Sequence, residues 1–208
     1  MQAQQILQIN KIIPVITIYD LNTSVELAKA LLKGGIRILE ITLRTKDAIQ
    51  AIKLISHEVP QMIVGAGTVL NSKMLEEVKN AGAKFAISPG FNSIFAQEIK
   101  DIDIILIPGV ATASEIMLAL ECGYTNLKFF PAQACGGINM LKSFASPFHN
   151  VKFCPTGGIN INNMKDYLNL NNVLCVGGSW LSPKELILEK QWDKITQIAK
   201  ESLEKLYT

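Results

Sequence analysis

The sequence predicts an α/β protein with one domain over residues 1–208, folded as a single (β/α)8 TIM barrel with a short N-terminal helix. Eight short apolar segments rich in β-branched residues recur along the chain. They lie about 20 to 25 residues apart, the length of one strand, one helix and two short loops. Helical patterns that end at glycine separate them, and no linker or change in composition divides the chain. These observations favour a closed barrel over two domains.

Each predicted strand has an apolar middle, and glycine, proline or polar residues lie at its ends. They cover residues 12–18, 36–43, 62–67, 83–88, 103–109, 126–130, 151–158 and 172–179.

The predicted helices begin with capping residues and end at glycine. In "TSVELAKALLKGG", Thr23 and Glu26 occupy capping-box positions and Gly34 is the stop. In "TASEIMLALECGY", Thr112 and Glu115 repeat the box. This repetition predicts one helix after each strand.

The residues that follow the first strand argue against an open doubly wound sheet. Such a sheet usually has a glycine-rich phosphate loop after its first strand, whereas "ITIYDLNTS" follows it here. Residues 1–10, before the first strand, are expected to form the extra helix that closes one end of the barrel.

Charge and hydropathy exclude several classes of function. The net charge is +2, and with 18 lysines but only two arginines the chain shows no arginine cluster, so we expect no nucleic-acid partner. The N-terminus lacks the basic and apolar regions of a signal peptide, and no apolar run approaches the roughly 20 residues that span a bilayer. We therefore expect a cytoplasmic protein with no membrane partner.

The cysteines do not predict a metal site or a disulfide framework. Cys122, Cys135, Cys154 and Cys175 lack CxxC spacing and companion histidines at ligand spacing. We expect reduced thiols, no bound metal and no cofactor.

Two charged residues interrupt apolar strands. Glu40, Thr42 and Arg44 share one face of the second predicted strand, because side chains alternate with period two. Lys128 lies in the sixth predicted strand, in "NLKFF". Strands two and six contribute to the same layer of a barrel interior, so Lys128 and Glu40 are expected to meet. Either a structural ion pair or a catalytic pair would fit this pattern.

A buried lysine can act as a nucleophile. In a low dielectric the charged form of an amine is disfavoured, and a neutral amine can attack a carbonyl to form a Schiff base. A nearby carboxylate opposes that shift but can supply the acid and base that imine formation needs.

Glycine pairs follow the last two predicted strands, in "CPTGGIN" and "VGGSW". The loops after strands seven and eight are the usual phosphate site of this barrel, and glycine lets backbone N–H groups approach phosphate oxygens. A phosphorylated small molecule is therefore the expected ligand. Arg44, at the carboxyl end of the inward face, is placed to bind a carboxylate.

The sequence resembles the 2-keto-3-deoxy-6-phosphogluconate (KDPG) aldolases, also called 2-dehydro-3-deoxy-phosphogluconate/4-hydroxy-2-oxoglutarate aldolases. The motifs that carry the resemblance run in order from residue 14 to 181: "PVITI", "GGIRILEITLRT", "VGAGTVLN", "AISPGFN", "IPGVATASE", "LKFFPA", "FCPTGGI" and "VGGSWL". The resemblance implies a class I aldolase with a (β/α)8 barrel, assembled as a homotrimer, that needs no metal.

The resemblance also assigns the site. It makes Lys128 the Schiff-base lysine and Glu40 the proton-transfer carboxylate. The other implied residues bind the substrate: Arg44 and Thr68 the pyruvate carboxylate, Pro89, Phe130 and Thr156 the pocket, and Gly157, Gly158, Gly178 and Ser179 the phosphate.

The implied reaction cleaves 2-dehydro-3-deoxy-6-phosphogluconate to pyruvate and glyceraldehyde 3-phosphate, with 4-hydroxy-2-oxoglutarate, which yields pyruvate and glyoxylate, as a second substrate. Gln133 and Cys135 depart from the "FFPAEANGG" of many relatives, which leaves substrate preference open. A 2-dehydro-3-deoxy-6-phosphogalactonate aldolase, a metal-dependent aldolase, a sugar-phosphate isomerase or epimerase and a noncatalytic phosphosugar-binding protein remain alternatives.

Overall fold

Short parallel strands form the centre of the molecule. The computed structural model describes residues 2–207, so Met1 and Thr208 of the predicted domain 1–208 lie outside the described residues. The described strands are β1 (Ile12–Ile16), β2 (Ile38–Thr42), β3 (Ile63–Gly67), β4 (Phe85–Ile87), β5 (Ile105–Ile107), β6 (Gly109–Val110), β7 (Asn126–Phe129), β8 (Lys152–Pro155) and β9 (Val176–Gly178).

Each of the eight predicted segments contains a strand, which confirms the α/β class. The observed strands are shorter than predicted, and β5 and β6 are separated only by Pro108. The sixth predicted strand is therefore β7.

The strands pair in two sheets. One has six strands in the order β5-β4-β3-β2-β1-β9, and the other has three in the order β6-β7-β8. All the pairings between these strands are parallel. An isolated parallel bridge joins Thr156, just after β8, to Gly177 of β9.

Helices occupy the connections between the strands, as expected for parallel pairing. They are α1 (Ala3–Leu7), a short 3-10 helix (Leu21–Thr23), α2 (Ser24–Lys33), α3 (Ala48–Glu58), α4 (Ser72–Asn80), α5 (Ser93–Ile99), α6 (Ala113–Glu121), α7 (Gly137–Ala145), α8 (Met164–Leu168), α9 (Lys184–Leu188) and α10 (Trp192–Glu204). Over residues 2–207, no helix has the length and apolar character that a membrane crossing requires.

One predicted capping box is confirmed and the other is wrong. At α6 the Thr112 hydroxyl accepts from the Glu115 N–H, and the Glu115 carboxylate accepts from the Thr112 N–H. At α2 the Thr23 hydroxyl instead donates to the carbonyl of Asp20. Asp20 already accepts a backbone N–H and starts the preceding 3-10 helix, so the helical turn begins before Thr23.

The two faces of the sheet bury different clusters. Leu39 and Ile41 of β2 belong to the large cluster that the helices share, whereas Ile38 belongs to a smaller inner cluster. That inner cluster consists of Ile6, Leu7, Ile13, Ile38, Phe85, Ile87, Ile107, Cys154 and Cys175. The alternation predicted for β2 is confirmed, and α1 is the expected N-terminal helix that closes the inner cluster.

Two cysteines behave as apolar members of the inner cluster. Cys154 and Cys175 are both buried free thiols. Burial raises the pKa of the Cys175 thiol well above its ordinary value, and the neighbouring Cys154 adds to the shift. The Cys175 thiol is therefore neutral at physiological pH and packs as a small hydrophobic group.

A glycine in β3 makes room for the charged residue of β2. A Cβ placed on Gly67 would overlap the carboxylate of Glu40. Glu40 of β2 pairs in register with Gly65, which also lies in β3. The small residues of β3 therefore allow a carboxylate to fit inside a packed interior.

We expect Leu7→Ala to lower the free energy of unfolding by about 2–5 kcal/mol, because it leaves a cavity beneath the inner cluster. Urea unfolding followed by circular dichroism measures this. Leu188→Ala removes the same atoms from an exposed position on α9 and should change the free energy by less than about 0.5 kcal/mol. Equal effects of the two changes would contradict the buried position of α1.

We expect Gly67→Ala to destabilise the fold by about 1–3 kcal/mol, because the added methyl overlaps Glu40. The matched control is Gly90→Ala, where an added methyl meets no atom within 4 Å. The same urea titration, repeated on both variants, compares them. A Gly67→Ala protein as stable as the Gly90→Ala protein would show that Glu40 does not lie against β3.

Candidate active site

A buried lysine and a buried glutamate face each other across the inside of the fold. Lys128 Nζ lies 3.0 Å from Glu40 Oε1 and donates a hydrogen bond to it. Lys128 exposes 5% of its surface and Glu40 exposes 1%. The predicted contact between these residues is confirmed.

The strand register explains how the pair forms. Lys128 lies in the middle of β7, paired with Gly109 of β6 on one side and with Cys154 of β8 on the other. Glu40 lies in the middle of β2, where it pairs with Val15 of β1. Both side chains point to the inner side of their strands, so they meet.

An aromatic ring completes the surroundings of the lysine. The ring centroid of Phe130 lies 5.2 Å from Lys128 Nζ. A cation is attracted to the face of such a ring, and the ring also shields it from water. The lysine is therefore held between one carboxylate and one aromatic face.

A cavity of about 170 Å³ opens beside the pair, at the carboxyl ends of the strands. Lys128 and Glu40 are not themselves among its lining residues. The lining includes Phe130, whose ring faces Lys128 Nζ, and Val15, which pairs in register with Glu40. The full lining is Val15, Thr17, Arg44, Phe130, Thr156, Gly157, Gly158, Ile159, Gly177, Gly178 and Ser179.

The cavity collects most of the residues that the sequence singled out. The predicted site residues that line it are Arg44, Phe130, Thr156, Gly157, Gly158, Gly178 and Ser179. Thr68 and Pro89 follow β3 and β4 at the same edge of the sheet, both half-buried, but they are not part of this lining.

Thr68 holds an unusual backbone conformation. Its φ is 63°, in the left-handed region that non-glycine residues rarely adopt. It directly follows Gly67, the residue that lies against Glu40. Conformations of this kind cost about 1–3 kcal/mol and cluster at functional sites.

The loop after β8 has a conformation that requires glycine. Gly157 and Gly158 have φ values of 102° and 78°. The Gly157 carbonyl accepts from the Gln133 N–H at 3.0 Å, and the Gly158 carbonyl accepts from Asn163 Nδ2 at 3.0 Å. Both carbonyl oxygens are therefore bound by protein donors.

Gln133 supports this loop from outside the cavity. A Cβ on Gly158 would come within 2.5 Å of the Gln133 Cβ, so the two residues are in close contact. Tyr167 donates its hydroxyl to Gln133 Oε1 at 2.8 Å. Burial raises the pKa of Tyr167, which keeps the phenol protonated and able to donate.

Sequence reasoning missed Thr17, Val15 and Ile159 as lining residues. Thr17 was detectable, because it continues the inward face of Ile13 and Val15 at the carboxyl end of the first strand. The same period-two pattern located Glu40. A single threonine is common in strands, so it attracts less notice than a charge.

No group of three or more His, Cys, Asp or Glu side chains with metal-binding geometry occurs in the part of the chain that the structure describes. The cavity and the ion pair beside it present an amine, a carboxylate, a guanidinium, hydroxyls and backbone amides. This set fits a carbonyl substrate that also carries anionic groups.

Known proteins resemble this chain over nearly its whole length. The sequence pattern of the family described as KDPG and KHG aldolase matches residues 3–198. The 2-dehydro-3-deoxy-phosphogluconate aldolase of Dickeya dadantii is 50% identical over 97% of this chain and 94% of its own length. The KHG/KDPG aldolase of Escherichia coli K12 is also 50% identical, over 97% and 95% of the two chains.

A solved structure resembles the whole described fold. It is a KDPG aldolase from Legionella pneumophila, with pyruvate captured as a covalent carbinolamine intermediate. It is 46% identical, covers 98% of each chain and superposes with a TM-score of 0.95. The family resemblance expected from the ordered motifs is confirmed: this chain belongs to the KDPG and KHG aldolase family.

Proposed function

We propose that this chain is a class I aldolase that cleaves 2-dehydro-3-deoxy-6-phosphogluconate to pyruvate and glyceraldehyde 3-phosphate. The observation that carries the proposal is the buried contact of 3.0 Å between Lys128 Nζ and Glu40 Oε1 beside the cavity. Replacing a buried ion pair by apolar residues often costs no stability, so a buried pair at a cavity favours a chemical role. The relatives that are 40–50% identical carry aldolase names.

Lys128 provides the nucleophile in this mechanism. The neutral amine attacks the C2 carbonyl and forms a carbinolamine, and Glu40 transfers protons as water leaves. The product is a protonated imine, which withdraws electrons from C3. Glu40 can perform these transfers because its carboxylate already contacts the reacting nitrogen.

The imine then permits carbon–carbon cleavage. Glu40 takes the proton of the C4 hydroxyl, the C3–C4 bond breaks, and its electron pair moves into the imine to give an enamine. Glyceraldehyde 3-phosphate leaves with C4 as its aldehyde carbon. The proton held by Glu40 passes to C3, and water hydrolyses the resulting imine to release pyruvate and free Lys128.

The residues around the pair hold the two ends of the substrate. Arg44 is exposed and lines the cavity, and it offers a guanidinium for the carboxylate. Thr68, directly after β3, is proposed to bind the same carboxylate. Phe130 and Thr156 line the cavity in which the imine forms. Pro89, which follows β4 outside this lining, is proposed to bound the pocket from the same edge of the sheet. This division places the reacting carbon next to Lys128.

The glycine loops bind the phosphate. Gly157 and Gly158 commit their carbonyls to protein donors, which leaves the N–H side of the loop for an anion. Gly178, the last residue of β9, and Ser179, which follows it, line the same cavity. Backbone amides and a hydroxyl are suitable donors to phosphate oxygens.

A second substrate is 4-hydroxy-2-oxoglutarate, which would yield pyruvate and glyoxylate. The relatives named KHG/KDPG aldolase at 50% identity favour this activity. The second carboxylate of this substrate, at C5, lies closer to the reacting carbons than a phosphate on C6, and it can accept hydrogen bonds from N–H and hydroxyl donors at the same end of the cavity. We place both reactions in the cytoplasm, a reducing compartment that suits a chain with four free cysteines.

We also propose that the two sheets form one closed eight-stranded barrel. β5 and β6 are one chain segment interrupted at Pro108, and the Pro108 carbonyl accepts from the Lys128 N–H of β7. At the other side, the Thr156–Gly177 bridge links β8 to β9. Counting β5 and β6 as one strand gives the eight strands of a (β/α)8 barrel.

Finally, we propose a homotrimer, as the family resemblance implies. Leu70, Ile94 and Met117 lie just before α4, in α5 and in α6, and expose 58%, 69% and 56% of their surfaces. Exposed apolar side chains on successive elements are typical of a contact between subunits. We propose that these three side chains contribute apolar contacts to the trimer.

We expect borohydride reduction in the presence of pyruvate to add the mass of reduced pyruvate to Lys128. Peptide mass spectrometry locates the adduct. Lys128→Ala should abolish both the adduct and aldol cleavage while the circular dichroism spectrum is kept, and Glu40→Gln should slow turnover about 10²-fold or more.

The control for this experiment is Lys152→Ala. Lys152 begins β8 and donates to the Asn171 carbonyl, away from the cavity lining, so this variant should still form the adduct on Lys128. A protein without an adduct on Lys128, or with full turnover after Lys128→Ala, would refute the Schiff-base mechanism. Phosphosugar binding without turnover would support the noncatalytic alternative.

For the assembly, we expect light scattering to give a mass of about three times the 22.8 kDa chain. Ile94→Asp should lower that mass, because a desolvated carboxylate is costly in an apolar contact. Leu188→Asp changes an equally apolar, exposed residue on α9 and should leave the assembly intact. A wild-type mass of one chain would contradict the trimer.

A further inference from the structure

The cavity contains a hydroxyl group that the mechanism above does not use. Thr17 lines the cavity and continues β1 by one residue. β1 pairs with β9, which leads to Ser179, and with β2, which leads to Arg44. Thr17 therefore lies between the proposed phosphate-binding and carboxylate-binding ends of the cavity.

The hydrogen bonds of Thr17 define what it can recognise. Thr42 Oγ1 donates its one proton to the Ile16 carbonyl at 2.8 Å. Thr17 Oγ1 lies 3.4 Å from Thr42 Oγ1, and because the Thr42 proton is already used, Thr17 is the donor in this long contact. The remaining lone pairs of Thr17 Oγ1 are available to the cavity, where the group acts as an acceptor.

An acceptor selects among the polar groups of the substrate. Ionised carboxylate and phosphate oxygens near neutral pH are themselves mainly acceptors, so they do not pair with this lone pair. A substrate hydroxyl can donate to it. The C4 hydroxyl gives its proton to Glu40 during cleavage, whereas the C5 hydroxyl, next to the phosphate-bearing carbon, keeps its proton throughout.

We propose that Thr17 is a specificity-determining residue that accepts a hydrogen bond from the C5 hydroxyl of the six-carbon substrate. The proposal rests on the proposed function, since it needs the carboxylate at Arg44 and the phosphate near Gly178 and Ser179. It explains the presence of a polar residue at a position where the inward face of β1 is otherwise apolar, as in Ile13 and Val15. The contact with Thr42 Oγ1 orients the Thr17 hydroxyl.

The test uses the condensation reaction with pyruvate and a pair of aldehydes. In glyceraldehyde 3-phosphate, the C2 hydroxyl becomes the C5 hydroxyl of the product, whereas 3-phosphooxypropanal lacks it. The value of kcat/KM is measured with each aldehyde for the wild type, for Thr17→Val, which keeps the shape, and for Thr17→Ser, which keeps the hydroxyl.

We expect Thr17→Val to lower kcat/KM for glyceraldehyde 3-phosphate about tenfold, the loss of one hydrogen bond, and to leave 3-phosphooxypropanal unchanged. Thr17→Ser should keep the preference for the hydroxylated aldehyde. An equal loss with both aldehydes, or no loss with either, would overturn the proposal. Thr17→Ala provides the same comparison if the valine variant does not fold.

Borohydride trapping with pyruvate separates this proposal from the proposed function. Pyruvate has no C5 hydroxyl, so every Thr17 variant should form the adduct on Lys128. An adduct together with unchanged aldehyde preference in Thr17→Val would refute the role of Thr17 alone. A wild type without the adduct would refute the Schiff-base mechanism, and the assignment of Thr17 with it.

Discussion

The contact between Lys128 and Glu40 is the constraint on which the rest of the site depends. Two charges inside a packed interior are tolerated only when each satisfies the other, because desolvation of an unpaired ion is expensive. The neighbouring strands therefore need small residues, and Gly67 provides the space for the carboxylate. The same packing that isolates the pair from water leaves it beside a cavity where a carbonyl carbon can approach the amine.

Around this pair, the cavity separates its polar groups by chemistry. Positive charge comes from Arg44, two residues after β2, and backbone amides come from the Gly157–Gly158 loop after β8 and from the end of β9. Gln133 donates its backbone N–H to the Gly157 carbonyl, and Tyr167 in turn donates its hydroxyl to Gln133 Oε1. A neutral amide at position 133 avoids placing a negative charge behind a loop that is proposed to bind an anion.

The sequence predicted the features that violate a local pattern. Lys128 and Glu40 were found because charges interrupt apolar strands, and period two then placed them on inward faces. The capping box predicted for α2 was wrong because Asp20 caps the preceding 3-10 helix and Thr23 donates to the Asp20 carbonyl. The spacing of Thr23 and Glu26 does not reveal this earlier helical turn. Strand ends were predicted too long, and Thr17 escaped notice, since neither pattern nor propensity marks where a cavity begins.

The helix α1 has a consequence for the order in which the reaction proceeds. By burying Ile6 and Leu7 in the inner cluster, it fills the end of the described fold opposite to the cavity. Substrate and products must then share the opening at the carboxyl ends of the strands. In the proposed mechanism, pyruvate stays bonded to Lys128 until water reaches its imine. The phosphorylated aldehyde therefore departs first, and its departure admits the water that frees the enzyme for another turnover.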